Sequence, residues 1–479
     1  MRNRTAALLL CAGIAATSIQ AEEEQTSAIP ANLTQLRPIQ CIAYDPKPSD
    51  FFQNAYFDSD FFNADFTGIW GDDGQPGARK DLATFAGARL NMLHIYNWNA
   101  QRANHKAFLD AAQQLGIKVM IPISNFTAQT ITGTTDCPTC PKGYKAAMDL
   151  VRGIFDQVYV GTTPHPAAAM WSIYNEYDLN GYDPVNVAFI VQAILTIENE
   201  ANIPVANRLP ITTPVSDATW NTQARNEANL PQAAPALNAA LARAAATWLV
   251  TNPGKNVDSP TPPDLPGAVL AMIAVSNALS DAQSVSHYRS PFDTSIVTVS
   301  VVPANFWGTR WIASSNPFRI GSALADYLTN PAQFQSAWPG TTAFNTLPPL
   351  FFAEMGYSQV DAGHDLATQA SVVLGQIQAT APLARSGSTP QGYFLGSCFF
   401  QHTFVDASHF EAFQTTGSFQ TRSASPSAPF PASGQAWRVD ALTPLPVWNS
   451  VKSGYGGTGS SLGLQLPPDA REPEVVERP

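Results

Sequence analysis

The feature that most limits what this 479-residue chain can fold into is a recurring alternation. Short, continuous apolar runs are separated by stretches with helical spacing. The runs are Ile39–Tyr44, Met92–Tyr96, Val119–Ile123, Ala169–Tyr174, Leu209–Thr213, Ile296–Val302, Leu350–Ala353 and Tyr393–Phe400. They do not alternate apolar with polar residues, so each reads as a strand covered on both faces. Between them, Phe108, Ala112 and Leu115 lie on one helical face ahead of Gly116, a helix stop. Val187, Val191, Ile194 and Ile197 form a second stripe, and Val372, Gly375, Ile377 and Ala381 a weaker one. Strands alternating with helices imply a parallel sheet, and eight such strands close a barrel. The predicted fold is α/β, a (β/α)8 TIM barrel over residues 37–452.

Other stretches exceed a minimal barrel. Residues 218–285 hold two alanine-rich helical patterns, one of which sets Leu237, Leu241, Ala244 and Trp248 on one face. Pro260–Pro266 divides them. They are expected as an inserted helical pair between strands five and six, on the C-terminal face. Residues 125–143 are expected as a long loop on the same face. Residues 22–36 read as a polar leader. Residues 453–479 turn Gly/Ser-rich, then Pro/Glu-rich, and are expected as a disordered tail, too poor in apolar surface to fold alone.

The N-terminus specifies a compartment. Arg2 and Arg4 precede an apolar run from Ala6 to Ala16, and small residues lead to Ala21 before Glu22-Glu23-Glu24. This pattern predicts a signal peptide, residues 1–21, cleaved near Ala21. The run is too short to span a bilayer. Leu10 is the wrong size for a lipid-anchor processing site at Cys11, and no later segment reads as a membrane helix. A secreted or periplasmic protein is expected. There, disulfides are allowed among Cys41, Cys137, Cys140 and Cys398. Their pairing cannot be read from spacing. Cys137-Pro-Thr-Cys140 lacks the second pair that zinc requires, so it reads as a local disulfide or two idle thiols.

Charge narrows the ligands. The 26 basic residues against 37 acidic ones give −11 and leave no basic stripe for phosphates, so no nucleic-acid partner is expected. An anionic substrate or membrane surface is disfavoured too. Aromatic residues at 10% suit stacking on a neutral ligand. The acidic stretch with Asp58, Asp60, Asn63 and Asp65 does not match calcium-loop spacing, and is expected as a solvated loop over the cleft. No metal and no cofactor is expected, because the seven histidines show no ligand spacing and no glycine-rich phosphate loop follows a strand. Asn32-Leu-Thr and Asn125-Phe-Thr match glycosylation sequons, a short pattern that often arises by chance.

The chemistry must then come from carboxylates. Glu176 follows Asn175 directly after an apolar strand, and Glu354 interrupts another near its C-terminal end. A charge taken out of water is costly unless paired, so a glutamate there needs a reason. A lone glutamate at a strand end is usually a cap or ion-pair member. Two of them, ending strands four and seven, would converge across the barrel mouth, where active sites of this architecture lie. Retaining glycosidases use two carboxyl groups roughly 5–5.5 Å apart.

On these residues the chain resembles the clan A retaining glycoside hydrolases. Its closest patches are similar to the β-1,3-glucanosyltransferases and endo-β-1,3-glucanases. Cys41-Ile-Ala-Tyr44-Asp45-Pro46 resembles their first strand, and Arg79-Lys-Asp81-Leu with Gly87 to Tyr96 their first helix and second strand. Phe352-Ala-Glu354-Met-Gly356 is similar to their nucleophile strand, and Asp440 to Trp448 to the lead into their closing helix. The resemblance covers residues 38–452 in patches, and nothing in it answers to 218–285. It implies Glu176 as acid/base, Glu354 as nucleophile and Asn175 as a hydrogen-bond partner of the sugar 2-hydroxyl. Where these enzymes carry an arginine ending strand two, this chain offers His94; where they carry a tyrosine ending strand six, it offers Asn305. Phe399-Phe400-Gln401-His402 stands where strand eight usually supplies tryptophan. Tyr44, Tyr96, Asn97 and Trp307 complete the expected substrate-binding set. The expected partner is an external polysaccharide or oligosaccharide. Two alternatives stay open: a catalytically impaired barrel that binds carbohydrate, and a cell-envelope protein whose inserts hold a partner.

Overall fold

In the computed structural model of the protein, the described residues are 35–48, 60–216, 267–318, 348–386, 394–403, 409–423 and 436–456, apart from short gaps at 102–103, 136 and 138, together with Leu33 and Leu324. The expected signal peptide, most of the leader, residues 218–266 of the 218–285 insert, and the tail from 457 onward lie outside them.

Eight parallel strands close a barrel: β1 (Ile39–Ala43), β2 (Met92–His94), β3 (Lys118–Ile123), β4 (Ala168–Ile173), β5 (Ile211–Ser216), β6 (Trp311–Asn316), β7 (Leu350–Met355) and β8 (Phe394–Phe399). Each pairs with its sequence neighbours, and β1 pairs with β8 to complete the ring. The (β/α)8 barrel read from the alternation is therefore the fold. Strand six is not where the sequence put it. Ile296–Thr298 instead pairs antiparallel with His287–Arg289 in a small outlying hairpin. Its β-branched residues satisfy intrinsic strand preference, yet Ile296 is 55% exposed. The true β6, Trp-Ile-Ala-Ser-Ser-Asn, is buried throughout and half polar. One of its hydroxyls is used locally: Thr212 Oγ1 on β5 donates to the Ile312 carbonyl and pairs with Ser314 Oγ at 2.6 Å.

Helices cover the outer face. They include α1 (Asp81–Gly87), α2 (Lys106–Gln114), α3 (Asn125–Thr132), α4 (Tyr144–Val158), α5 (Pro184–Glu200), α6 (Gly267–Val285), α7 (Leu366–Ser386) and α8 (Pro446–Gly456). In α2 the predicted stripe buries Phe108 and Ala112, and Gly116 turns the chain away at φ +72°. Asp183 caps α5 by accepting from the Val185 N–H, and Pro184 occupies its first turn. α5 is buried on nearly all sides because α4 and α6 flank it. α6 also packs on β5 and β6. It is seated as a barrel helix between those strands, and the other half of the expected pair lies outside the described residues. Its buried Met272, Ile273 and Val275 explain this seat. The region expected as a loop after β3 likewise contains α3 and leads into α4. α8 runs to Gly456, past the predicted start of the tail.

Buried apolar side chains separate into two main cores and a small third cluster of Ala43, Phe400 and Phe410. Ile39, Cys41, Met92, Met120, Met170, Ile312, Phe351, Ala353, Leu395 and Cys398 fill the barrel interior, with Leu33 among them. A larger set lies between strands and helices. Cys41 and Cys398 are register partners on β1 and β8 and form a disulfide across the closing seam. Cys137 and Cys140 form the local disulfide that their spacing allowed. The acidic stretch after β1 is not a solvated loop where it is described. Asp60 is 7% exposed and accepts from His105 Nε2 at 2.6 Å and from the Asn99 N–H.

Candidate active site

Alternation along β7 sends Phe351 and Ala353 into the barrel and Leu350 and Phe352 outward. Continued strictly, it would send Glu354 outward as well. A register shift between Phe352 and Met355 intervenes, and Met355 joins the outer core. This bulge turns Glu354 toward the mouth. There its Oε1 accepts from Tyr96 Oη at 2.7 Å and from Asn175 Nδ2 at 3.0 Å. Glu354 is 1% exposed, so two donors to a single oxygen matter: each hydrogen bond to a charged group is worth about 1.5–3 kcal/mol.

Asn175 links this carboxylate to the other. Asn316, the last residue of β6, donates through Nδ2 to Asn175 Oδ1 at 3.2 Å and to Glu176 Oε1 at 3.1 Å. Tyr96, Asn175, Asn316 and both glutamates thus form one hydrogen-bonded group at the C-terminal ends of β2, β4, β6 and β7. The turn carrying Asn175 is strained, with Tyr174 at φ +57° and Glu176 at φ +50°. Left-handed backbone is uncommon for such residues and persists only where the surroundings hold it. Here the Tyr174 N–H donates to Ile123 O and the Glu176 N–H to Pro214 O, which ties the turn to β3 and β5. Farther along, Asp178 accepts from both the backbone N–H and the hydroxyl of Ser216. Burial pushes the Asp178 carboxyl up to about 7, the Ser216 hydrogen bonds oppose this, and the like charge of Glu176 adds to it.

Several expected site residues lie elsewhere. His94 Nδ1 donates to the Ala353 carbonyl at 3.0 Å, so the carbonyl fixes the tautomer. Burial pushes the imidazole down to about 4, with the Ala353 hydrogen bond opposing. His94 is therefore neutral and does not replace the expected arginine as a cation. Its neighbour two positions on, Tyr96, reaches the carboxylate. Tyr44 is fully buried and donates to Asp81 Oδ2 at 2.8 Å, with its ring edge-on to Phe85 and His402. It is a core residue rather than a cleft one. Asn305 and Trp307 precede β6 and so stand at the N-terminal end of the barrel, away from the mouth. Trp307 is 5% exposed against Phe306 and Trp311. Both were placed by the misassigned sixth strand. Asn97 is half-buried three residues past β2. Asn316 and Ser216 were missed, because each ends a strand whose last residues read as polar loop.

Among the described residues, no group of three or more His, Cys, Asp or Glu could hold a metal ion. No helix among them is long and apolar enough to cross a membrane.

No protein-family profile matches the chain, and a search of curated proteins finds no match. Similar solved structures include a Saccharomyces cerevisiae Gas2p mutant in complex with laminaritetraose and laminaripentaose. It has 11% identity and a TM-score of 0.44, over 88% of this chain and 64% of that one. Another is Saccharomyces cerevisiae Gas2p in complex with laminaripentaose, at 10% identity and a TM-score of 0.44, over 88% of this chain and 65% of that one. This chain thus spans less than two thirds of Gas2p. The barrel rests on this chain's own strand pairing, to which a likeness at this level adds nothing.

Proposed function

We propose that the chain is an exported retaining glycoside hydrolase or transglycosylase acting on a β-glucan-type polysaccharide. The observation that carries the reading is the bridge through Asn175 and Asn316, which joins two buried carboxylates in one network at the barrel mouth. Glu354 is the nucleophile: its carboxylate attacks the anomeric carbon as the glycosidic oxygen takes a proton from Glu176 and leaves. Glu176, now ionised, accepts a proton from water or from a second sugar hydroxyl. That oxygen displaces Glu354 and restores both carboxyls. Asn175, already donating to Glu354, is positioned to bond a sugar hydroxyl beside the nucleophile, a contact that helps catalysis to the extent that it strengthens in the transition state.

The neutral His94 favours a second reading, in which the barrel binds oligosaccharide without turning it over. Incubating purified protein and Glu354→Gln with laminarin separates the two. The enzyme reading expects reducing ends or transfer products from wild type only. Equal traces from both proteins would overturn it, and retained laminarin binding in that case would favour the second reading.

A further inference from the structure

The strained turn has one holder that its sequence role does not explain. Asn125 opens α3, directly after Ser124, the residue that follows β3, and its amide faces the backbone of Asn175. Asn125 Oδ1 accepts the Asn175 N–H at 2.9 Å, and Asn125 Nδ2 donates to the Asn175 carbonyl at 3.1 Å. A primary amide thus pairs with both polar groups of a single residue, as a neighbouring strand would. Asn175 lies between Tyr174 and Glu176, the two residues with positive φ, so the pair grips the centre of the strained segment. From the other side, Asn180 Nδ2 donates to the carbonyls of Asn175 and Glu176 at 3.2 and 2.8 Å.

We propose that Asn125 is a positioning residue, which fixes the Asn175 backbone so that the Asn175 amide stays aligned on Glu354. The catalytic part of this proposal rests on the glycosidase reading; the clamp itself does not. The contact needs a carboxamide, because a carboxylate keeps the acceptor and loses the donor, and an apolar side chain loses both. The same residue heads the Asn125-Phe126-Thr127 sequon, in which Thr127 is 2% exposed. A sugar on Nδ2 would crowd the nitrogen that holds the Asn175 carbonyl. This asparagine therefore serves the turn rather than glycan attachment.

The test is a double-mutant cycle on the full chain, with Asn125→Leu, Asn175→Ala and the pair, assayed on laminari-oligosaccharides. If Asn125 acts through Asn175, Asn125→Leu lowers kcat by about 10- to 100-fold and leaves KM within about threefold. In the Asn175→Ala background the same change adds less than about a twofold loss. Asn125→Asp falls between wild type and Leu, and carries the cycle if the Leu variant does not fold. Losses that multiply in the double variant, or an unchanged kcat in Asn125→Leu, overturn the proposal. Hydrogen exchange of the peptide 172–180 tests the clamp without any turnover. Its protection drops by at least about tenfold in the variant if the amide pair holds the turn, and an unchanged rate overturns the clamp. A wild type inert on every glucan overturns the glycosidase reading alone, and exchange then decides the clamp.

Discussion

Among the described residues, Glu198 and Glu354 are the two most deeply buried glutamates, and they are held in opposite ways. Glu198, at the end of α5, is 0% exposed and meets the Arg310 guanidinium at 2.9 and 3.1 Å, with Arg208 at 3.8 Å. Arg310 also donates to the Leu209 carbonyl just before β5, so the pair fastens helix α5 to the strands behind it. Burial still leaves the Glu198 carboxyl above its ordinary range, although both arginines pull it down. Glu354, 1% exposed, takes hydrogen bonds from two neutral donors, Tyr96 and Asn175. A buried carboxylate clasped by guanidinium is spent on architecture, because moving its proton or its partner undoes the fold. Under the proposed mechanism, one that takes bonds from Tyr96 and Asn175 at the barrel mouth is used for bond making. The difference teaches that burial alone does not mark a site; the kind of partner does.

The sharpest way to break this contrast is to neutralise each glutamate in turn. Glu354→Gln should lower kcat/KM on laminarin by at least about a thousandfold while the melting temperature moves by only a few degrees. Glu198→Gln should do the reverse. It leaves a buried arginine without its counter-charge, which costs about 3–5 kcal/mol in denaturant unfolding and changes kcat little. If the two variants behave alike, the distinction fails.

Asp178 sharpens the comparison by its pH dependence. Its folded-state value near 7 lies above that of an unfolded aspartate, so the fold binds the extra proton. Stability from this group is full below about pH 4 and falls as pH rises to 7, where the folded state also ionises. Asp178→Asn should therefore raise the melting temperature by several degrees at pH 8 and hardly at all at pH 4. Equal shifts at both values would contradict this assignment. The smallest effect belongs to an exposed pair, Lys106 with Asp110, whose side chains are 56% and 43% exposed. Lys106→Ala should change stability by less than about 0.5 kcal/mol, and added salt should erase even that.

What could be read in the sequence follows from the same physics. β3, β4 and β7 are apolar on both faces, so continuous runs located them. The Asn175-Glu176 pair was visible because charge is scarce around it, and Glu354 because it interrupts an apolar strand. β6 is hidden because half of it is polar, and its Ser314 finds a partner in Thr212 only once β5 lies alongside. Asn305 and Trp307 were carried off the site by that one misplaced strand. The bulge that turns Glu354 inward leaves no trace in the order of residues. Nor does the difference between His94, which bonds the Ala353 carbonyl, and Tyr96, two positions on, which bonds Glu354.

The central claim is that Glu354 forms a bond to the sugar. Its most direct measurement is to incubate the protein with a 2-deoxy-2-fluoro β-glucosyl or laminaribiosyl fluoride and map the mass gain after proteolysis. One adduct of one glycosyl unit is expected, on the peptide carrying Glu354 and absent in Glu354→Gln. An adduct on Glu176, or turnover of laminarin with inverted product and no adduct, would contradict it.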